Sequence, residues 1–547
     1  MKLRFFVLIF SFFLIFSGLI FNLYDIQIKK GKSYAEKALA QFKNSRLIFA
    51  KRGEIYFSDK NDNLIPAAIN KSYKFVYVVP SEVDDQAGVA ENLANILNID
   101  KSAILKKVGK ISDSYEEIAT KISNEDDSQI TSLNLKGVYV DSRDFRYYPY
   151  NELASQTLGF VGPSGDDYEI KGRYGIESLF NNDLKGEDGV NAQNILLPAE
   201  SGKDIVLNID RNIQAKAEEI LKRVIEERKA TSGTVIVEDP ETGKILTMAS
   251  YPNFNPNTYS KYPLENLLNP AIQMLYEPGS VFKPITMSSG IESGKITPDS
   301  IFNDTGSLVL NKKKITNFAQ TAYGKVNMTQ IIENSINTGS AYVASLLGRD
   351  LFKKFVESFG FGEKTGISLP GELRGNIKSI QKDVQDINIA TASFGQGIAV
   401  TPISLISAIS AIANGGNIFR PLIFKNEKPE VLRRVISEES AKDVTDMMVK
   451  AVLKGKYAMV HNYNVAGKTG TAQISKLKSA GYEEDAYIHT FVGFAPAYRP
   501  KFVALIKIDR PQVGPLAGVT VVPAFRELAE FILDYYNVPP DNLDSVK

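Results

Sequence analysis

The chain reads as an α+β protein: an antiparallel sheet flanked by helices, preceded by a separate polar N-terminal domain and a single N-terminal transmembrane helix. Three observations predict this. An uncharged apolar run opens the sequence between Arg4 and Asp25. Strand-like segments then stand on both sides of a central block of apolar helices, the order expected when the two ends of one domain share a sheet. Finally, 547 residues exceed one compact unit, at roughly 100–200 residues per domain.

The composition narrows the chemistry. Apolar residues at 44% and charged residues at 23% are globular values and exclude wholesale disorder. Lys plus Arg at 64 against 63 acidic residues, with no long basic run, leaves no nucleic-acid footprint. Cysteine is absent, which removes disulfides, Cys-based zinc sites and thiol catalysis. The two histidines, His461 and His489, supply a Ser-His-Asp triad poorly and a His-rich metal site not at all, so both are read as structural and no metal or cofactor is expected. Catalysis has to rest on Ser, Thr, Lys, Asp, Glu or Tyr.

Taken in order, residues 1–4 read as a cytoplasmic head and 5–24 as the anchor, since about 20 helical residues span the roughly 30 Å hydrocarbon core. An Ala38-Leu39-Ala40 site lies too far past the apolar run for ordinary signal cleavage. Lys2 and Arg4 compete with Lys29, Lys30 and Lys32 for the cytoplasmic side. The absence of cysteine favours an extracytoplasmic, periplasm-type location for the remainder. Residues 25–201 read as a polar, turn-rich domain with a helix-like Ser33–Lys43 and a β-rich Tyr73–Val79. Residues 202–537 read as the main domain and 538–547 as a tail. In the main domain Asp204–Ile209 alternates like a strand, and Asp210 opens an amphipathic helix through Arg223. A hairpin follows, Gly233–Glu238 and Lys244–Ser250 about the turn Asp239-Pro-Glu-Thr-Gly243. Apolar helices are expected from Pro284 to about Gly415. Strands return at Thr490–Ala495 and Lys501–Ile508, and a last helix has Pro523 near its start.

Three short motifs carry chemistry. In Glu277-Pro-Gly-Ser280-Val-Phe-Lys283-Pro284, a loop feeds a helix whose first turn tolerates Pro284. Ser280 and Lys283, at i and i+3, share a face, so the amine can reach the hydroxyl. The amine acts as a base only when neutral, which requires burial or a neighbouring cation. Ser335-Ile-Asn337 offers a second hydroxyl and an amide. Lys468-Thr469-Gly470-Thr471 reads as an edge strand supplying a second cation and hydroxyls able to hold a carboxylate. The similar sequences at Ser379–Lys382 and Ser475–Lys478 read as solvated surface, and Lys364-Thr-Gly366 as a structural loop.

The order Ser-x-x-Lys, Ser-x-Asn, Lys-Thr-Gly resembles that of serine acyltransferases that react with penicillin. The chain resembles class B penicillin-binding proteins over nearly its whole length, most closely the FtsI-type septal peptidoglycan D,D-transpeptidases. The likeness extends to Thr242–Ser250, Ala392–Gly397 with Thr401-Pro402, Phe491–Pro496 and Val522–Glu527. In the N-terminal domain, which resembles the family's non-catalytic pedestal domain, it includes Arg52-Gly53-Glu-Ile55, Arg146–Pro149, Leu158–Gly162 and Tyr174–Glu177. The segment Tyr56–Asp62 departs from the family's shorter turn.

The resemblance implies a penicillin-binding, β-lactamase-like transpeptidase fold and a reaction. Ser280 would attack the penultimate D-Ala carbonyl of a stem peptide ending in D-Ala-D-Ala, with Lys283 taking its proton. Ser335 would relay a proton to the leaving amine while Lys468 tunes the site. Asn337 would position the substrate amide, and Thr469, Gly470 and Thr471 the terminal carboxylate. The backbone N–H groups of Ser280 and Thr471 would form the oxyanion hole. β-Lactam antibiotics would mimic the D-Ala-D-Ala end. An FtsW-type glycosyltransferase, other division proteins and the inner membrane are the implied partners, with no nucleic acid. Two alternatives stand beside this reading: an elongation-type transpeptidase, and a β-lactam hydrolase using Glu372 as an added base.

Overall fold

The computed structural model describes residues 2–25, 46–113, 115–164, 167–192, 195–381, 384–476 and 481–542. Residues divide into two units: 1–53 with 182–203, and 54–181 with 204–547. The first contains the helix Lys2–Tyr24 and a three-stranded antiparallel sheet in the order Arg46–Ile48, Gly189–Ala192, Ile195–Leu197. Among the described residues no helix is long and apolar enough to cross a membrane. Several side chains of Lys2–Tyr24 fall outside that set. The helix-like Ser33–Lys43 lies outside the described residues, as do Lys382 and Lys478.

The second unit holds two five-stranded sheets. The catalytic-side sheet runs Ile245–Tyr251, Ser232–Glu238, Phe502–Asp509, Tyr482–Ala495, Ala466–Ser475, antiparallel throughout. The two ends of the domain thus share one sheet, as the strand–helix–strand order predicts. The Lys468-Thr-Gly strand stands at its edge, as expected.

Helix Arg211–Arg228 covers one face. Asp210 caps it, accepting from the N–H groups of Asn212 and Ile213 at 2.8 and 3.1 Å. Ile213, Ala217, Ile220, Leu221, Val224 and Ile225 are buried at helical spacing. They join Phe525, Leu528 and Ile532 of helix Val522–Tyr535 in one core, where the Phe491 and Phe525 rings are 4.6 Å apart. Truncating Phe525 to Ala removes about 3–5 kcal/mol from such a core. On the other face lies Pro402–Ala413, buried at nearly every position, which explains its unbroken apolar sequence.

Two expectations are corrected. The strand Ile205–Asp210 forms where alternation suggested, but it pairs in parallel with Ile55–Ser58 and belongs to the other sheet. Its near-continuous burial reflects cover on both sides. The stretch after Pro284 is also not helical throughout. Four short strands, Ile301–Asp304, Ser307–Leu310, Lys313–Thr316 and Gly324–Asn327, form two hairpin-like pairs between the helices. Their lysines and exposed apolar residues gave no clean period of two. The Tyr56–Asp62 segment ends strand Ile55–Ser58 in a turn held by Asp59, which accepts from the N–H groups of Asn61 and Asn63 at 2.8 and 2.9 Å. Lys60 Nζ then donates to the Tyr535 carbonyl at 2.6 Å.

Candidate active site

Ser280 sits in a single 3₁₀ turn, Gly279–Phe282, that runs directly into helix Lys283–Glu292. Pro284 occupies the first helical turn, where its missing N–H costs nothing. Gly279 has φ +62°, and its N–H donates to the Gly395 carbonyl at 3.0 Å. A Cβ on Gly395 would stand 2.3 Å from the Gly279 oxygen, so the Ser-Phe-Gly-Gln-Gly segment is glycine-bearing because it supports the nucleophile's turn from below. From the opposite side the Ala466–Ser475 strand closes in: a Cβ on Gly470 would lie 3.0 Å from the Pro278 carbonyl.

Ser335 links helices Met328–Glu333 and Asn337–Ser358 with φ +55°, a left-handed conformation a serine adopts only when its surroundings demand it. This turn aims both its carbonyl and its hydroxyl at Lys283. The fully buried Lys283 Nζ stands 2.5 Å from Ser335 O, 3.0 Å from Ser335 Oγ and 2.8 Å from Asn337 Oδ1; as a neutral amine it donates its two hydrogens to the carbonyl and amide oxygens and keeps its lone pair for a hydroxyl proton. None of these three bonds goes to Ser280, although the two side chains share a helix face. Asn337 is fixed at its other end, its Nδ2 donating to the Thr316 carbonyl at 2.9 Å.

Lys468 is buried as well, and among the described residues its amine bonds only to its neighbour, Thr469 O at 3.1 Å and Oγ1 at 3.4 Å. Burial pulls its pKa down to about 8. Lys283 is driven well below the ordinary lysine range, first by burial and then by the positive charge of Lys468. Two amines sharing a dry site favour the state in which Lys283 is neutral and Lys468 carries the charge. That is the protonation pattern a lysine base needs.

A cleft of about 1400 Å³ opens over these groups, lined by Ser280, Ser335, Asn337, Lys468, Thr469 and Thr471. Lys283 and Gly470 are not among the lining residues. The three motifs, distant in sequence, therefore meet at one place. The Thr471 hydroxyl accepts from the Ala517 N–H at 3.2 Å. His489 pairs across the strands with Thr471 and lines the same cleft, its Nδ1 bonded to Thr520 Oγ1 at 2.9 Å. Burial lowers its pKa to about 4, so it is neutral at physiological pH.

The second Lys-Thr-Gly sequence is a loop pinned from within. Glu372 accepts from Thr365 N and Oγ1, both at 2.6 Å, and from Gly366 N at 3.2 Å. This buried carboxylate is engaged there and is not part of the cleft lining. Sequence reasoning missed the part of the lining formed by Lys313–Ala319 and Tyr323, and the buried Asp304 that bonds to Asn317 in it. Only the Asp-x-Gly and Asn turn signals of that stretch hinted at it.

Residues 233–530 match the penicillin binding protein transpeptidase domain, and residues 47–239 the penicillin-binding protein dimerisation domain. The chain belongs to the penicillin-binding protein transpeptidase family. Among similar proteins, stage V sporulation protein D of Bacillus subtilis (strain 168) is 32% identical, the match covering 93% of this chain and 83% of that protein. Peptidoglycan D,D-transpeptidase FtsI of Buchnera aphidicola is 31% identical over 95% of this chain and 92% of its own length. The FtsI protein of Escherichia coli K12 is 29% identical over 87% and 83%. The fold matches penicillin binding protein 2X from Streptococcus thermophilus with a TM-score of 0.73 at 21% identity, covering 90% of this chain and 81% of that one. A peptidoglycan synthetase from Bifidobacterium adolescentis gives 0.71 at 24% identity, covering 91% and 97%.

Proposed function

We propose that this penicillin-binding protein is a peptidoglycan D,D-transpeptidase acting through a Ser280 acyl-enzyme. The observation that carries the reading is the buried Lys283 amine, bonded to Ser335 and Asn337 and facing a second buried lysine beneath the Ser280 cleft. Neutral Lys283 accepts the Ser280 hydroxyl proton as the oxygen bonds to the penultimate D-Ala carbonyl carbon. The carbonyl–nitrogen bond to the terminal D-Ala then breaks, and its amine leaves with the proton returned from Lys283 through Ser335, whose hydroxyl is 3.0 Å from the amine. A primary amine of a second stem peptide attacks the ester, forms the cross-link and frees Ser280. Backbone N–H groups of Ser280 and Thr471 serve the oxyanion. Thr469, Gly470 and Thr471, backed by the charge of Lys468, hold the substrate carboxylate.

The wider setting belongs to the same proposal. The uncharged stretch within Lys2–Tyr24 anchors the chain in the inner membrane with the N-terminus cytoplasmic and the catalytic domain outside. Ser-x-Asn together with Phe491–Pro496 and Val522–Glu527 supports work at the division septum, with an FtsW-type glycosyltransferase as partner. Depletion producing filaments supports the septal role, and round cells overturn it in favour of elongation. The engagement of Glu372 with Thr365 and Gly366 weighs against a hydrolase.

The deciding experiment is labelling with a fluorescent penicillin followed by mass spectrometry. A stable adduct on Ser280, lost in Ser280→Ala, is the expected result. No adduct, or an adduct on another residue, overturns the assignment.

A further inference from the structure

Asn317 of the cleft lining belongs to a polar knot that the reaction as described does not use. Asp304, Asn317 and Thr338 are buried, each no more than 3% exposed. Asp304 Oδ1 accepts from Thr338 Oγ1 at 2.5 Å and from Gly306 N at 3.1 Å. Its Oδ2 accepts from Asn317 Nδ2 at 2.8 Å and from Tyr323 N at 2.9 Å. Four donors converge on this one buried carboxylate. They come from three different places: the turn after Ile301–Asp304, the cleft wall, and the first turn of helix Asn337–Ser358.

That helix is the other half of the argument. Its N-cap residue, Ile336, has no side chain able to cap, so its first N–H groups need partners from elsewhere. Asn317 supplies one, its Oδ1 accepting from Thr338 N at 3.1 Å, while the Thr338 hydroxyl, whose proton goes to Asp304, lies 3.1 Å from the same oxygen. Asp304 thus holds Asn317, and Asn317 caps the helix that begins at Asn337. The next backbone group along the wall, the Thr316 carbonyl, receives the Asn337 amide. Asn337 in turn accepts from the Lys283 amine at 2.8 Å. A continuous chain of bonds therefore runs from Asp304 to the lysine. Burial alone would raise the Asp304 pKa, but the bonds from Thr338, Tyr323, Gly306 and Asn317 outweigh it and hold the carboxyl below its ordinary value. The negative charge is retained at the positive end of the helix.

We propose that Asp304 is a positioning residue for acylation: through Asn317 and Thr338 it locks the helix start at Asn337 and the Thr316 carbonyl together, and so holds the Lys283 amine against Ser335 and Asn337. The inference rests on the acyl-enzyme reading and deepens it. Asp304 touches no substrate. Its contribution is the geometry of two residues that do, and misplacement by about 1 Å at such a site costs on the order of 10²-fold in rate.

The test measures the limiting acylation rate of the full chain with fluorescent penicillin, separately from the noncovalent affinity that precedes it. Failure of the parent to form any adduct refutes the acyl-enzyme reading itself. With an active parent, Asp304→Asn, which places an amide NH₂ against donors, lowers the limiting rate by about tenfold or more with full labelling amplitude. Thr338→Val, nearly isosteric but without the hydroxyl, lowers it less, and Thr338→Ser restores it. In an Asn337→Ala background the Asp304 substitution adds little further loss, because both act on one chain of bonds. A general structural weakening would instead reduce the labelled fraction and add fully to Asn337→Ala. Parent-like limiting rates in folded Asp304→Asn overturn the inference. Where Asp304→Asn does not fold, equal rates for Thr338→Val and Thr338→Ser overturn it.

Discussion

Lys468 makes the sharpest demand on the fold, and replacing it by Met tests the electrostatic account of the site. Its amine is fully buried and has a pKa of about 8 against the ordinary 10.5. At about 1.4 kcal/mol per pH unit, that difference means the folded protein is destabilised by about 3 kcal/mol while the lysine is charged in both folded and unfolded chains. The sign is that of a depressed lysine. The cost is complete below pH 8, shrinks as the pH rises from about 8 towards 10.5, and vanishes above. Lys468→Met removes the cost and also removes two long hydrogen bonds to Thr469, at 3.1 and 3.4 Å, together worth about 1 kcal/mol. The net expectation is stabilisation by about 2 kcal/mol at pH 7, fading to nothing near pH 9.5, in line with the general gain from replacing buried charge by an apolar residue. Urea unfolding followed by circular dichroism at both pH values reads this directly. Acylation by penicillin should fall by about 10²-fold in the same protein, since a preorganised charge is lost from the site. A variant no more stable than its parent at pH 7, or a gain of equal size at pH 9.5, refutes the reasoning.

Lys283→Ala should slow acylation by about 10²–10⁴-fold while the circular dichroism spectrum is unchanged, and stopped-flow labelling gives the factor. The acid limb of the parent's pH–rate profile should reflect deprotonation of Lys283, and removing the Lys468 charge should move that limb to higher pH, because one of the two causes of the depressed Lys283 value is gone. Gly470→Ala should reduce acylation by about tenfold with little change in melting temperature, since the new methyl stands 3.0 Å from both Pro278 O and Val281 Cγ1 and pushes the strand off the nucleophile's turn. Glu372→Ala should cost about 1–3 kcal/mol of stability through the unmade bonds of Thr365 and Gly366. Loss of a measurable penicillin hydrolysis in that variant would instead revive the hydrolase reading.

Much of the site is legible because its chemistry is local. Ser280 and Lys283 are one helical turn apart, so their shared face follows from spacing alone. Lys468 on an edge strand follows from small residues flanking a β-rich run. The decoy Lys364-Thr-Gly366 was separable by its surroundings, and the structure gives the reason in the Glu372 carboxylate that closes its loop. Other features had no local signature. The strand Ile205–Asp210 carries the same alternation whichever sheet it joins, and it pairs with Ile55–Ser58, about 150 residues earlier. The four strands between Ile301 and Asn327 are too short and too exposed for periodicity to separate them from loops.

Residue types, the order of the three motifs, the edge position of the Lys-Thr-Gly strand and the sharing of one antiparallel sheet by both ends of the domain are readable along the chain. These depend on spacings of a few residues and on periodicities of 2 and 3.6. What the Lys283 amine bonds to, the nearness of Lys468 that shifts it, the left-handed turn at Ser335 and the bracing of the following helix by Asp304 and Asn317 emerge only in the folded chain. Such facts arise where segments far apart in the chain exclude water together. A charge, a cap or a hydrogen bond gains its strength from that burial, and no single segment carries the burial in its own sequence.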